Sequence, residues 1–291
     1  MSEFVSQLLF GLAIGSIYAL VAIGFSMIYR ATGLLHFAHP DLMMMGGMIG
    51  YTLATRTALP MPLLFVFSGL AVALLSYAID RIGFRPMRRH GASLNLVIAT
   101  IGWSIILVNV ALFVWGTAPL SYPETYLPKG RPFGGIVIVP QNLVMLAVGL
   151  AAMAALHLFF TRTVLGQAMR ATAENPVAAQ LMGIPVERMM ALTFLLSGFL
   201  AGGAGVLVAS IVYANFDLGL IGIKSFAAAV LGGFGSVGGA MAGGLLLGVV
   251  ETFGAFYVSS AFKDIIAYSL LILVLLLRPQ GIFGTARSRP D

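Results

Sequence analysis

Runs of about twenty apolar residues recur from one end of the chain to the other, at roughly 4–29, 36–55, 62–80, 93–115, 140–160, 189–213 and 261–277. A helix of ~20 residues rising 1.5 Å each matches the hydrocarbon core of a bilayer. Inside that core every backbone N–H and C=O must find its partner within the segment, which helices achieve and open loops do not. Of the 291 residues 59% are hydrophobic and 9% charged, against about 25% charged in a soluble domain. The reading is an all-α polytopic protein in a lipid bilayer, a single membrane domain over 1–291.

Residues 216–257 hold about two further spans, interrupted by the glycine-rich turn at 232–239. Counting 216–232 and 238–257 separately gives nine crossings. A single helix over 224–257 gives eight, and a re-entrant 224–234 is the third arrangement. Nine crossings are preferred, one of them short or half-helical.

Charge orients the spans. Arginines cluster at 81–89, at 161–188 and in the tail beyond Leu277, and such clusters mark the cytoplasmic side. Arg30 follows the first span while only Glu3 precedes its apolar run, so the N-terminus is expected outside and the C-terminus inside. The same scatter of basic residues between apolar runs argues against a nucleic-acid partner. The chain has no cysteine, which excludes disulfides, zinc–thiolate sites and iron–sulfur clusters. The first run lacks a basic leader and is read as a retained span. Outside, the loop 116–139 is rich in proline and glycine and ends in the alternating Ile136–Val139, an expected cap with a short hairpin.

Several stretches invite a chemical reading. In LLHFAHPD at 34–41, His36 and His39 are three apart and Asp41 could add an oxygen ligand. However, Pro40 disfavours helix at His39 and is itself at home in a first turn. The expectation is therefore a helix start facing a protein-lined cavity, with no metal and no catalytic residue. The glycine-rich turn lacks the lysine of a phosphate-binding loop, so neither ATP nor any other cofactor is expected on this chain. The pairs Gly11/Gly15, Gly198/Gly202, Gly239/Gly243 and Gly244/Gly248 are spaced for close helix contact. Glu251 is read as near enough to its span's end to reach outward, and Asp217, Lys224, Lys263 and Asp264 as charges at the outer boundary.

Within 161–188, Gly166–Ala173 can form one helix. Asn175 is a capping residue and Pro176 a first-turn residue for a second, short helix that Gly183 would end. A short helix between two spans on the cytoplasmic side is a candidate docking element.

This segment, with its Gly-x-x-x-Arg-Ala, Glu-Asn-Pro-x-Ala-Ala and Met-Gly-Ile, resembles the cytoplasmic loop of the branched-chain amino-acid permeases of bacterial ABC importers. FAHPDLMMMGG at 37–47, FAAAVLGGFGSVGGAMAGGLLLG at 226–248 and LLLRPQGIFG at 275–284 are similar to the same family, so the resemblance covers essentially the whole chain. It implies a bacterial inner-membrane subunit paired with a second permease, homologous or identical, and with two ABC ATPase subunits. A periplasmic substrate-binding protein would deliver a hydrophobic amino acid. Arg170, Glu174, Asn175, Pro176, Ala179 and Gly183 would couple to the ATPase. Phe37, His39, Asp41, Met44 and Gly47, with Gly232, Gly233, Phe234 and Gly235, would line the translocation pathway. Pro40 stands where the family usually has glycine, which leaves a urea or short-amide permease of the same family as the alternative. A proton-coupled secondary transporter using His36, His39, Asp41 or Glu251 is the competing reading from a different class.

The stretches 4–80 and 189–257 both run as a long glycine-rich helix, an interruption and another helix, crossing in opposite senses. That is the pattern of an inverted repeat, with LLHFAHPD and VLGGFGSVGG as its two interruptions.

Overall fold

A computed structural model describes residues 2–33, 35–88, 93–123, 131–133, 136–278 and 280–284. His90, Lys129 and the arginines of the tail beyond 284 lie outside these. Twelve α-helices follow in chain order: α1 Ser2–Thr32, α2 His39–Arg56, α3 Met61–Ile79, α4 Arg85–Arg88, α5 Ser93–Trp115, α6 Pro140–Arg162, α7 Val164–Glu174, α8 Pro176–Leu181, α9 Val186–Ala209, α10 Gly219–Gly232, α11 Val237–Tyr257 and α12 Lys263–Leu277. Among the described residues, setting aside the short α4, α7 and α8 leaves nine helices in the membrane bundle. Among the described residues seven helices are long and apolar enough to cross a bilayer. The other two, α2 and α10, are the broken helices. The expected hairpin is present as β1 Arg131–Phe133 antiparallel to β2 Ile136–Ile138.

The bundle is held by its smallest side chains. α1 and α11 run antiparallel, and any side chain added at Gly11, Gly15, Gly244 or Gly248 would strike the facing backbone. The same happens where Gly198 and Gly202 of α9 meet α3. With no hydrophobic drive between helices in lipid, such close backbone approach supplies the packing energy. Ser68 Oγ donates to the Gly46 carbonyl at 2.7 Å and Ser76 Oγ to the Phe194 carbonyl at 2.8 Å, fastening α3 to α2 and to α9.

These contacts reveal the repeat. α1, α2 and α3 correspond to α9, α10 and α11 with the direction reversed. The two most extensive packings, α1 on α11 and α3 on α9, are each other's mates. Each repeat's first helix therefore packs on the third helix of the other repeat.

One expectation needs correction. The mate of LLHFAHPD is 210–218, not the glycine-rich turn. After α9 the chain turns back, makes a β-bridge between Ala214 and Leu120, and enters α10 through a 3-10 turn at Phe216–Leu218. The glycine-rich 232–239 is the hairpin from α10 into α11. Gly233 (φ +109°) and Gly281 (φ +81°) sit there backbone against backbone. In consequence the Ile282 N–H donates to the Leu231 carbonyl at 2.9 Å, and the Phe283 N–H to the Gly232 carbonyl at 3.1 Å. The segment 280–284 thus satisfies carbonyls that the end of α10 leaves free.

Arginine-rich 81–88 is helical. α3 continues through a π-helical turn at Asp80–Phe84 into α4, with Arg88 Nη1 2.6 Å from Asp80 Oδ1. The start of α1 and the end of α12 lie at opposite ends of the bundle. Arg30, Arg85, Arg88, Arg162 and Arg188 share the end where α12 finishes.

Candidate translocation and coupling site

His39 shows how deep the first break reaches. Its Nε2 lies 3.2 Å from the Val21 carbonyl and its Nδ1 3.3 Å from Ser197 Oγ. Val21 is eleven residues from the end of α1 (32 − 21) and Ser197 eleven from the start of α9 (197 − 186). At 1.5 Å per residue the ring therefore sits about 16 Å inside the bundle. A neutral imidazole protonated on Nε2 donates to the carbonyl and accepts the serine hydroxyl, so both ring nitrogens are committed to the protein. Phe25 meets the same ring edge-on at 4.6 Å. His36 is 2% exposed between Phe84 and Phe194, and neither of its ring nitrogens has a hydrogen-bond partner among the described residues.

The second break comes to meet the first. Leu218 covers Gly47, Gly219 faces the Asp41 carboxylate, and Gly222 lies against Pro40. Two helix starts, α2 and α10, therefore converge inside the bundle with Asp41 between them. Asp41 is 8% exposed. A carboxylate beside two positive helix ends is favoured there. Phe37, at the break itself, is 47% exposed.

The predicted pathway residues separate into two groups. Phe37, His39, Asp41, Met44 and Gly47 gather at the junction, with Met44 wholly buried and Gly47 closed over by Leu218 and Ala209. Gly232, Gly233, Phe234 and Gly235 lie at the far end of α10, where Phe234 packs on Tyr29 at 4.3 Å and on Phe226 at 5.5 Å.

Of the charged residues read as boundary groups, Asp217 and Asp264 are exposed and Lys263 partly so, but Glu251 and Lys224 are not. Glu251 is fully buried. Its Oε1 is 2.6 Å from Lys224 Nζ and 3.5 Å from Lys263 Nζ. Lys224 also pairs with Asp264, so the cluster ties α10, α11 and α12 together. Lys224 lies 27 residues before Glu251 and on another helix, and no local pattern joins the two.

At the arginine-rich end the short helices form as the sequence dictates. The Asn175 Oδ1 accepts the Ala178 N–H at 2.9 Å, Pro176 opens α8, and Gly183 ends it at φ +81°. Glu174 pairs with Arg30 at 3.0 Å, which fixes α7 to α1. Ala179 faces inward, 4% exposed. Arg170 lines a cavity between α7 and the bundle. What the sequence reading missed is the outer surface of this segment: Val177, Leu181 and Met182 are 68%, 83% and 82% exposed.

Broken helices in an inverted repeat, converging inside a bilayer and joined to an apolar tip at one end, define a membrane transport permease. The chain belongs to the family described as branched-chain amino acid transport system / permease component, which matches residues 7–275. The high-affinity branched-chain amino acid transport system permease protein BraD of Pseudomonas aeruginosa is 40% identical, over 97% of this chain and 96% of that protein. The corresponding LivH protein of Escherichia coli is 34% identical over the same shares. Among solved structures, PsaBC from Streptococcus pneumoniae in complex with Fab is similar at a TM-score of 0.50, with 16% identity and 96% of each chain covered. That last likeness concerns the fold.

Proposed function

We propose that this chain is the membrane-spanning permease subunit of an ATP-driven importer for branched-chain or similar hydrophobic amino acids. It works beside a second permease chain, two ATPase subunits and a periplasmic binding protein, in a bacterial inner membrane. The substrate class follows the relatives of high identity. The observation that carries the coupling role is the exposed apolar tip Val177–Leu181–Met182, held rigidly by the Asn175 cap, the Gly183 turn and the Arg30–Glu174 pair. Exposed apolar side chains at a helix tip beyond the lipid call for a partner groove. The arginine-rich end is then cytoplasmic by the positive-inside rule, with the start of α1 outside.

The substrate path runs past the junction of the two broken helices, by Phe37, His39, Asp41, Met44 and Gly47. Residues Gly232–Gly235 form the cytoplasmic hinge of α10. A movement of α8 reaches the junction through α7, which Glu174 and Arg30 bind to α1.

The test is ATP hydrolysis by the reconstituted complex, with and without loaded binding protein, for Leu181→Glu and Met182→Glu. Stimulation is expected to vanish while the chain remains in the membrane. Full stimulation in both variants would refute the docking role.

A further inference from the structure

A cavity of about 200 Å³ opens at the arginine-rich end, between α7 and the ends of α1, α6, α9 and α11. It has no part in the path described above. Its wall is apolar, built by Met27, Phe160 and Met169, all largely buried. Its polar side is basic: Arg30, Arg170 and His157. One carboxylate, Glu174, answers these groups, and it is spent on Arg30. Among the described residues Arg170 has no ion pair. The capped first turn of α11, Ser236–Gly238, opens onto the same space and adds the positive end of a 21-residue helix.

Shape and charge together select the ligand. A free phosphate would use the arginines and leave the Met27–Phe160–Met169 wall uncovered. A neutral apolar molecule would leave the Arg170 guanidinium unanswered, since only Arg30 has a carboxylate partner. An amino acid brings an ammonium group toward two arginines, with no carboxylate left to receive it. An apolar cavity of ~150 Å³ accommodates benzene, so the present one has room for an aliphatic body of about six carbons.

We propose that this cavity binds a small aliphatic carboxylate lacking an ammonium group, of the 2-oxo acid or simple fatty acid type. Arg30 and Arg170 hold the carboxylate, and Met27, Phe160 and Met169 cover the chain. The occupant lies between α7 and the transmembrane helices and is chemically distinct from the amino acid proposed for transport.

The site is tested by equilibrium dialysis of radiolabelled 4-methyl-2-oxopentanoate against the purified chain in phosphatidylcholine nanodiscs. Leucine, 4-methyl-2-pentanone and inorganic phosphate serve as competitors. One equivalent of the oxo acid is expected to bind and to resist all three competitors at equal concentration. Arg30→Gln is expected to weaken binding roughly tenfold, the scale of one charge-assisted hydrogen bond. Ala31→Phe fills the space and is expected to abolish binding, and His157→Phe provides a second filled variant. Each variant is accepted only if it elutes as the parent does. Unaltered binding in the variants, equal competition by the ketone or by leucine, or displacement by phosphate would each overturn the proposal. Loss of binding in nanodiscs containing phosphatidylglycerol would overturn it too, by assigning the cavity to a lipid headgroup. No readout depends on transport.

Discussion

Lys224 and Glu251 form a 2.6 Å ion pair inside a membrane bundle, joining a broken helix to the long helix beside it. Glu251 is fully buried and Lys224 nearly so. Charges are retained at such depth where they pair with one another, because an unpaired one is costly.

Removing one partner should therefore do more harm than removing both. Lys224→Met leaves buried Glu251 with only the longer contact to Lys263 at 3.5 Å, and Glu251→Leu leaves Lys224 with Asp264 alone, so each single loss should stay below the roughly 3–5 kcal/mol of a fully orphaned buried charge. The double variant should recover most of the single variants' loss. Thermal unfolding of the purified chain in detergent reads this directly, and additive losses in the double variant would show that the two side chains act separately.

The short helix rests on two local devices. Asn175→Ala removes a cap worth about 1 kcal/mol, and any side chain at Gly183 is strained at φ +81°. Both Asn175→Ala and Gly183→Val are expected to lower substrate-stimulated ATP hydrolysis severalfold while leaving membrane insertion intact. Glu174→Lys sets like charge against Arg30 and should abolish the stimulation. ATPase measurements on matched amounts of assembled complex decide it.

At the junction, packing makes sharper demands than polarity. His39→Gln keeps polar groups facing Val21 and Ser197 and should retain much of the uptake, and uptake should be indifferent to a chelator. Gly222→Leu would collide with Pro40, and Gly47→Trp with Leu218 and Ala209, so both should block uptake. Pro40→Gly relieves rather than adds contact and should be tolerated. Radiolabelled uptake compares all four, and a chelator-sensitive wild type together with an inactive His39→Gln would restore a metal at this site.

Because the chain has no cysteine, single cysteines report sidedness without background. A cysteine in place of Leu181 should react with an impermeant reagent only from the cytoplasm. One in place of Tyr213, exposed in the loop after α9, should react only from outside. The reverse pattern would invert the orientation drawn from the arginines.

Asn175, Pro176 and Gly183 were readable in the sequence because capping is local chemistry that acts within a few residues. Pro40 announced its break for the same reason. The second break was not readable there: SIVYANFDL at 210–218 contains neither proline nor glycine, whereas GGFGSVGG nearby suggested an interruption. Of those glycines, Gly233 meets the backbone of 281–284, while Gly232 and Gly239 close the hairpin against each other. Glu251 looked like a boundary charge because its partner on the other helix, Lys224, is brought beside it only by the α10–α11 hairpin. The basic stretch 81–88 stayed helical because Asp80 answers Arg88, a pairing that charge counting alone does not reveal.

The exchange of third helices between repeats bears on how the chain is made. The glycine face of α1 has no mate until α11 emerges, some 229 residues later (244 − 15). At ribosomal speeds of ~5–20 residues per second, that is a wait of roughly ten to fifty seconds. Through that interval a close-packing surface stands open in the lipid, so the first span to be made is among the last to be completed.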